Sequence, residues 1–375
     1  RPTERRTNVP SPAFERVGLP SPTMTAIPET MRALVKSRAG EGLELDERRP
    51  VPRVGAHDVL IRVRKAGICG TDRHIWEWDD WAAGRIPLGI VTGHEFAGEV
   101  AAVGEAVTRA EVGQRVSAEG HVTSGSDYLI RTGQAHLASD TKILGVARDG
   151  VFAEYVSVPE ANVWPIHPDI PDWVAAAFDP LGNAVHTVME AGVSARSVLI
   201  SGVGIIGLMA VTVARAAGAS RIFCTDINPE RLALARELGA VEAYDVREGE
   251  GWINDVRMAT RGEGVDVLLE MSGSDAGLRT GFDALRNGGR AALLGLLAKS
   301  PTFDFNRHVI FKGCTVLGIN GRRVWETWYQ MEELILSGRI DLRGIVTHDT
   351  HRLEDYDAAF ETMISGRGIK VLMNV

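Results

Sequence analysis

The chain has 375 residues and a formal net charge of -8, with 45% hydrophobic and 24% charged residues, enough for two globular domains with a substantial core. The acidic balance leaves no basic footprint for a nucleic acid, and no run of about 18 apolar residues is present to span a membrane. Three cysteines, Cys69, Cys224 and Cys314, are too few and too odd in number for a disulfide framework and fit a reducing, cytoplasmic compartment.

Taken in chain order, residues 1–30 are rich in Pro, Arg, Ser and Thr and lack the apolar segment of a secretory signal. They are expected to be a disordered extension, native or added, with Met24 or Met31 as a natural start and the fold beginning near Arg32. From Arg32 to about Pro165 the pattern is short strands and turns. Asp58-Val-Leu-Ile-Arg-Val-Arg alternates with period two, and Phe96–Val103 and Phe152–Val158 are further strand candidates. Glycines punctuate the turns, which predicts an all-β, barrel-like module.

At Val198 the pattern changes. Val198–Ser201 reads as a strand, Leu208–Ala217 as an apolar helix ended by Gly218, and Arg221–Thr225 as a second strand, together one βαβ unit. Arg231–Leu238 (helix), Val265–Glu270 (strand), Leu278–Leu285 (helix) and Ala291–Leu294 (strand) continue the alternation. A doubly wound parallel sheet with helices on both faces follows. A helix over Thr327–Leu336 leads into a mixed tail. Cys224 and Cys314 lie in strand-like runs and read as small buried hydrophobes.

Between strand and helix stands Gly202-Val-Gly204-Ile-Ile206-Gly207, a G-x-G-x-x-G in the context its mechanism needs. The first glycine permits a tight turn, the second a close approach of backbone to pyrophosphate, the third close packing of helix on strand. The helix N-terminus offers free N–H groups to the phosphates. Asp226, 19 residues after Gly207, can accept both ribose hydroxyls and would repel a 2′-phosphate, so NAD is expected over NADP. The alternative for Asp226 is a helix N-cap before Asn-Pro-Glu-Arg. Arg231, one helical turn on, is placed to stack on or bond to the adenosine end.

Cys69 lies in Cys-Gly-Thr-Asp-Arg-His, and 25 residues later comes Gly93-His94-Glu95. A thiolate, an imidazole and a carboxylate suit a catalytic Zn²⁺ with one position left open, where the ion polarises a substrate oxygen. His94 and Glu95 would face opposite sides of a regular strand. Either the backbone bends there, or Glu95 binds intermittently or supports the other ligands. The plain alternative is a packed core Cys and His.

On these segments the chain resembles the medium-chain zinc alcohol dehydrogenases from Arg32 to Val375. Within that superfamily it is most similar to the L-threonine 3-dehydrogenase branch, through Ala66–Trp81, Glu119-Gly-His-Val-Thr123, Phe178-Asp-Pro-Leu-Gly-Asn-Ala-Val-His186 and Glu326-Thr-Trp-Tyr-Gln-Met331. The resemblance implies an α/β protein with a GroES-like β-barrel catalytic domain (31–180 and 322–375) and a Rossmann NAD-binding domain (181–321), assembled as a homotetramer or homodimer. It implies Cys69, His94 and Glu95 as zinc ligands, Thr71 and His74 as a proton relay, and Asp179 as an acidic residue supporting catalysis beside the metal. His121 matches a histidine near the substrate. Asp226 and Arg231 match adenosine-ribose contacts, and Leu294, Gly295, Leu296, Ile319 and Asn320 match segments along the nicotinamide half. A relay is chemically sensible, since an alcohol proton can pass from a hydroxyl to an imidazole that titrates near neutral pH; Thr71 has the alternative of a turn residue bonded to its own backbone.

The chain departs from its relatives where many carry a second, structural zinc held by four cysteines. The matching positions are Ser124, Asp127, Ile130 and Ala138, which cannot make a tetrahedral thiolate site. That zinc is expected to be absent, with the loop held by packing of Tyr128, Leu129, Ile130 and Leu137. The expected activity is NAD-linked oxidation of L-threonine or a close β-hydroxy amine or acid to the 3-keto product. Trp76, Trp78 and Trp81 favour that substrate, though aromatic loop residues commonly serve packing. A polyol or 2,3-diol dehydrogenase is the alternative, and an inactive NAD-binding subunit is a third.

Overall fold

In a computed structural model, residues 26–297 and 299–375 are described; the part of the expected extension before Ala26 lies outside the described residues. The first strand, Thr30–Lys36, pairs with Glu44–Pro50 and Ile90–Val91 in a three-stranded sheet. Asp58–Gly67 is the spine of a seven-stranded sheet, hydrogen-bonded to Glu95–Val103, Tyr155–Pro159 and Lys370–Asn374, all antiparallel. An Ala33–Ala153 bridge joins the two sheets. The alternation in the spine has its cause in burial. Val59, Ile61 and Val63 enter a core with Phe96, Val100, Phe152 and Val371, while Leu60 points the other way into a cluster with Met31 and Val91.

Six strands from Ser197 to Gly318 form a wholly parallel sheet. Numbered within that sheet they run 3-2-1-4-5-6, so the strand order reverses beside Ser197–Ser201, where such folds open a ligand crevice. Both faces are covered. Val198 and Ile200 pack with Leu208, Val211, Leu232 and Trp328 on one side, and Leu199 packs with Trp252, Val256, Leu278 and Phe282 on the other. This is why the strands read as apolar runs rather than alternating ones. The chain then leaves through the Glu326–Leu336 helix and returns to the first module with Val346–Arg352 and Lys370–Asn374. Among the described residues no helix is long and apolar enough to cross a membrane.

Several elements begin or end elsewhere than the apolar pattern predicts. The helices start earlier, at Ile205, Pro229 and Asp275, because polar caps and first turns do not face the core; Asn228 and Ser274 accept backbone N–H groups there. The Leu285–Leu293 strand starts at the residue where the expected helix ends and well before the strand expected from Ala291, and the Phe152–Val158 strand joins its ladder at Tyr155. The β module also contains a helix the pattern does not announce, Gly70–Glu77, and it carries the site. Cys224 is fully buried, and Cys314 only half-buried.

The expected packing of the 124–138 loop is corrected. Tyr128 and Leu137 are exposed, and Leu129 and Ile130 only half-buried. Carboxylates hold this loop instead. Asp127 caps the Tyr128–Arg131 turn by accepting from Leu129 N at 2.6 Å and also takes the Ser139 hydroxyl at 3.0 Å. Asp140 accepts from Ser124 N at 2.8 Å. A loop this exposed has little apolar surface to bury, so polar bonds at its turns supply the order.

Candidate active site

Cys69 follows the spine strand by two residues and stands as N-cap of the Gly70–Glu77 helix. Its backbone N–H donates to Asp72 Oδ2 at 2.9 Å, which fixes the direction in which the thiol leaves the helix. Thr71 Oγ1 lies 4.0 Å from the Cys69 sulfur. His74, one turn on, is half-exposed and pairs through Nδ1 with Asp79 Oδ2 at 2.6 Å. Thr71 and His74 are spaced i, i+3 and share a helix face, so the hydroxyl sits by the sulfur and the imidazole by solvent.

His94 and Glu95 reach the same place because the backbone bends before the strand. Gly93 has φ +84°, and a Cβ there would meet the Phe152 ring at 2.5 Å, so glycine alone fits the turn. His94 thus precedes the strand and Glu95 opens it. Ligand atoms of Cys69, His94 and Glu95 all lie within 4.8 Å of one another. Both residues after Gly93 are buried, and His94 Nδ1, Glu95 Oε1 and Asp72 Oδ1 have no hydrogen-bond partner among the described residues. Burial opposes an imidazolium at His94, yet Cys69, Asp72 and Asp179 outweigh it and hold the ring well above the usual histidine range. Orphaned donor atoms in an anionic pocket, with a thiol, an imidazole and a carboxylate converging, fit a Zn²⁺ ion.

Asp179, in the first turn of the Phe178–Ala191 helix, contacts Arg322 Nη1 at 2.5 Å. Sequence reasoning missed three charged neighbours. Lys370 is buried, donates to Ile68 O at 2.9 Å and forms an ion pair with Glu95. Arg322 and Glu119 are buried and paired at 2.7 Å. A lone Lys inside Ile369-Lys-Val-Leu-Met373 and an Arg immediately after the Gly321 turn are the signals that could have pointed to them. Trp76 proves a packing residue, stacked on Phe360 at 4.5 Å.

The glycine-rich turn stands at the strand-order reversal. Gly202 has φ +87°, and a Cβ there would lie 2.6 Å from Ser272 Cα; one on Gly207 would lie 2.1 Å from Gly202 O. Asp226 Oδ2 accepts from Val203 N at 2.8 Å, and Oδ1 accepts from Ile227 N at 2.8 Å and Asn228 N at 2.9 Å. It therefore braces the glycine turn, while the N-cap of the next helix is Asn228, not Asp226. Arg231 Nε is buried without a partner among the described residues. Leu294 and Gly295 bond back to Glu270 O at 2.9 and 3.1 Å. Ile319 is buried, whereas Asn320 and Leu296 are exposed.

The chain matches the alcohol dehydrogenase GroES-like domain over residues 55–169 and the zinc-binding dehydrogenase family over residues 206–337. It belongs to the medium-chain zinc-dependent alcohol dehydrogenases: an oxidoreductase that acts on a small hydroxyl-bearing substrate, with Zn²⁺ and NAD as its cofactors. Within that class it resembles the L-threonine 3-dehydrogenases. It is 48% identical over 344 residues to the one from Chelativorans sp., covering 92% of this chain and 98% of that one. It is 48% identical over 346 residues to the one from Symbiobacterium thermophilum, with the same coverage. An alcohol dehydrogenase from Thermus sp. ATN1 superposes with TM-score 0.83 at 31% identity over 92% of this chain and 100% of that one. A 2R,3R-butanediol dehydrogenase from Bacillus subtilis gives 0.84 at 26% identity with the same coverage. A zinc-binding dehydrogenase from Sinorhizobium meliloti, bound to NADP, gives 0.84 at 26% identity over 92% of this chain and 99% of that one.

Proposed function

We propose that the protein oxidises the 3-hydroxyl of L-threonine, or of a close β-hydroxy amine or acid, to the ketone with NAD⁺ as hydride acceptor. The observation that carries this reading is the convergence of Cys69, His94 and Glu95 within 4.8 Å, in a chain about half identical to L-threonine 3-dehydrogenases along their whole length. Those three residues would hold the zinc, which would supply a Lewis acid for the substrate hydroxyl. Thr71 takes the hydroxyl proton into a hydrogen-bonded chain that ends at His74, where Asp79 orients the ring toward water. Oxidation removes one hydride and one proton from each alcohol; NAD⁺, when bound, would be the acceptor for the hydride, and the Thr71–His74 chain takes the proton. Asp179 supplies negative charge beside the ligands, and His121 contacts the substrate. Gly202, Gly204, Ile206 and Gly207 seat the pyrophosphate, Asp226 and Arg231 the adenosine ribose, and Leu294, Gly295, Leu296, Ile319 and Asn320 the nicotinamide half.

The same reading divides the chain into a catalytic domain (31–180 and 322–375) and a cofactor domain (181–321), in a cytoplasmic homotetramer or homodimer. An exposed sheet edge at Thr315–Gly318, flanked by exposed Phe305, Ile310 and Phe311, supports pairing with a second copy, since a bare edge beside apolar surface invites another chain. The likeness to the butanediol dehydrogenase favours a 2,3-diol as the second reading. NADH formation across L-threonine, amino alcohols, hydroxy acids and 2,3-butanediol tests both. L-threonine giving the highest kcat/KM supports the first, and a diol giving the highest replaces it.

A further inference from the structure

The strand Thr30–Lys36 ends on a fully buried lysine that stands outside the proposed machinery. Lys36 Nζ donates to Gly40 O at 2.5 Å, Gly42 O at 2.9 Å and Trp76 O at 3.4 Å, so its acceptors are backbone carbonyls and none is a carboxylate. The ammonium also stands over the Trp78 ring, 4.9 Å from the centroid. Burial and Arg38 push it down to about 8, with Glu41 opposing, so it keeps its charge at neutral pH. A buried cation without a counter-ion is costly. Here carbonyl dipoles and an aromatic face supply what a carboxylate would otherwise give.

Those partners lie at the end of the Gly70–Glu77 helix, which carries Thr71 and His74, and in the loop beside it. Trp76 O is one of the helix's last carbonyls, where the helix dipole favours a cation, and it also accepts from Gly42 N at 2.9 Å. The helix stops at Trp78, whose φ of +54° is left-handed. A bulky residue stays in that region only where its surroundings hold it. The Trp78 ring packs with Ile75, Ala82, Ile86 and Ile90 in addition to the ammonium, and its N–H donates to His74 O. The turn sends the chain back toward the helix. Asp79 N donates to His74 O at 3.4 Å, and Asp79 Oδ2 meets His74 Nδ1 at 2.6 Å. Burial opposes ionisation of Asp79, but the Ala82 N–H and His74 outweigh it and hold the carboxyl below the usual range. An ionised carboxylate can only accept, so His74 Nδ1 carries a proton. A neutral ring then has its lone pair on Nε2, the form that can take a relayed proton.

We infer that Lys36 is a positioning residue for the proton relay: its buried ammonium, seated on the helix C-terminus and the face of Trp78, sets the left-handed turn that delivers Asp79 to His74. The inference rests on the proposed relay and deepens it, since a residue that meets neither substrate nor metal ligand then governs the state of the imidazole.

Lys36→Met tests it in the full-length, zinc-loaded protein, because methionine fills a similar length without charge or donors. In ¹⁵N-histidine-labelled protein, with the His74 signals assigned by His74→Ala, the neutral native ring should hold its proton on Nδ1. In Lys36→Met the Nε2–H form should appear, because Asp79 no longer selects against it. With L-threonine, kcat should fall about tenfold, a part of the loss of up to about 10² expected for His74→Ala, while KM stays within about twofold. Added imidazole should restore part of that kcat, and Lys36→Met combined with His74→Ala should be no slower than His74→Ala alone, since both act through one ring. Should Lys36→Met fail to fold, Trp78→Leu, which removes the aromatic face and leaves the lysine on its carbonyls, should give the same signature. A native tautomer in the variant that folds overturns the inference. So does a loss of kcat that imidazole leaves unchanged, or one that adds in full to the His74→Ala loss. If no hydroxy substrate is oxidised, or His74→Ala keeps native kcat, the proposed reading has failed and the tautomer alone decides the role of Lys36.

Discussion

Asp226 braces the glycine turn and is also the proposed ribose ligand, and Asp226→Asn separates these roles. The side chain accepts three backbone N–H groups, two on Oδ1 and Val203 N on Oδ2. An asparagine keeps one oxygen, which the Ile227 and Asn228 pair claims, and its NH₂ then meets Val203 N–H, donor against donor. Losing a satisfied partner for that N–H costs about 1–3 kcal/mol. This cost is present with and without cofactor and appears as lower stability. Removing the charge weakens the bonds to the ribose by about 1.5–3 kcal/mol, which is about 10- to 150-fold in affinity. The 2′-phosphate of NADP loses its repulsion at the same time. NADH and NADPH affinities by fluorescence titration, with urea unfolding of the cofactor-free protein, read the two effects apart. The expected result is weaker NADH binding, a narrowed gap to NADPH and a lower unfolding midpoint. If NADH affinity stays within about twofold while the midpoint falls, Asp226 is a loop brace only and the argument for NAD selectivity collapses.

Cys69→Ala should lose turnover and bound zinc together while keeping its circular dichroism spectrum; full activity in this variant or after chelation refutes the ligand set. Elemental analysis of active protein should find about one zinc per chain, and the 124–138 loop, held by Asp127 and Asp140, should survive exhaustive chelation. His74→Ala should lower kcat by up to about 10², and imidazole should restore part of it because the position is open to solvent; a variant with native kcat removes His74 from the relay. His136 is held neutral, its pKa lowered from 6.5 to about 4 by burial and by His186 and Arg323. The unfolded chain binds that proton first, so stability falls as pH drops from about 6.5 toward 4. His136→Phe should flatten that part of the urea-unfolding profile, and an unchanged slope contradicts the assignment.

The sequence by itself determined what depends on near neighbours. The glycine spacing of 202–207, Asp226 at the end of a strand and the apolar runs of the parallel sheet are short-range patterns, and each maps onto its place in the fold. Cys69 with His94 and Glu95 was legible as a donor set, because thiolate, imidazole and carboxylate are the groups that bind Zn²⁺. Whether His94 and Glu95 could face one point was left open, and the Gly93 turn decided it through the Phe152 ring, which leaves no room for a side chain. Tertiary structure also decided which charges answer each other. Glu119 meets Arg322 across 203 residues and Glu95 meets Lys370 across 275, separations over which composition carries no register. The 124–138 loop went against the reading for a related reason: its apolar residues had no core within reach, so the carboxylates at its turns hold it. Burial makes a charge find a partner, but only the folded chain says which one.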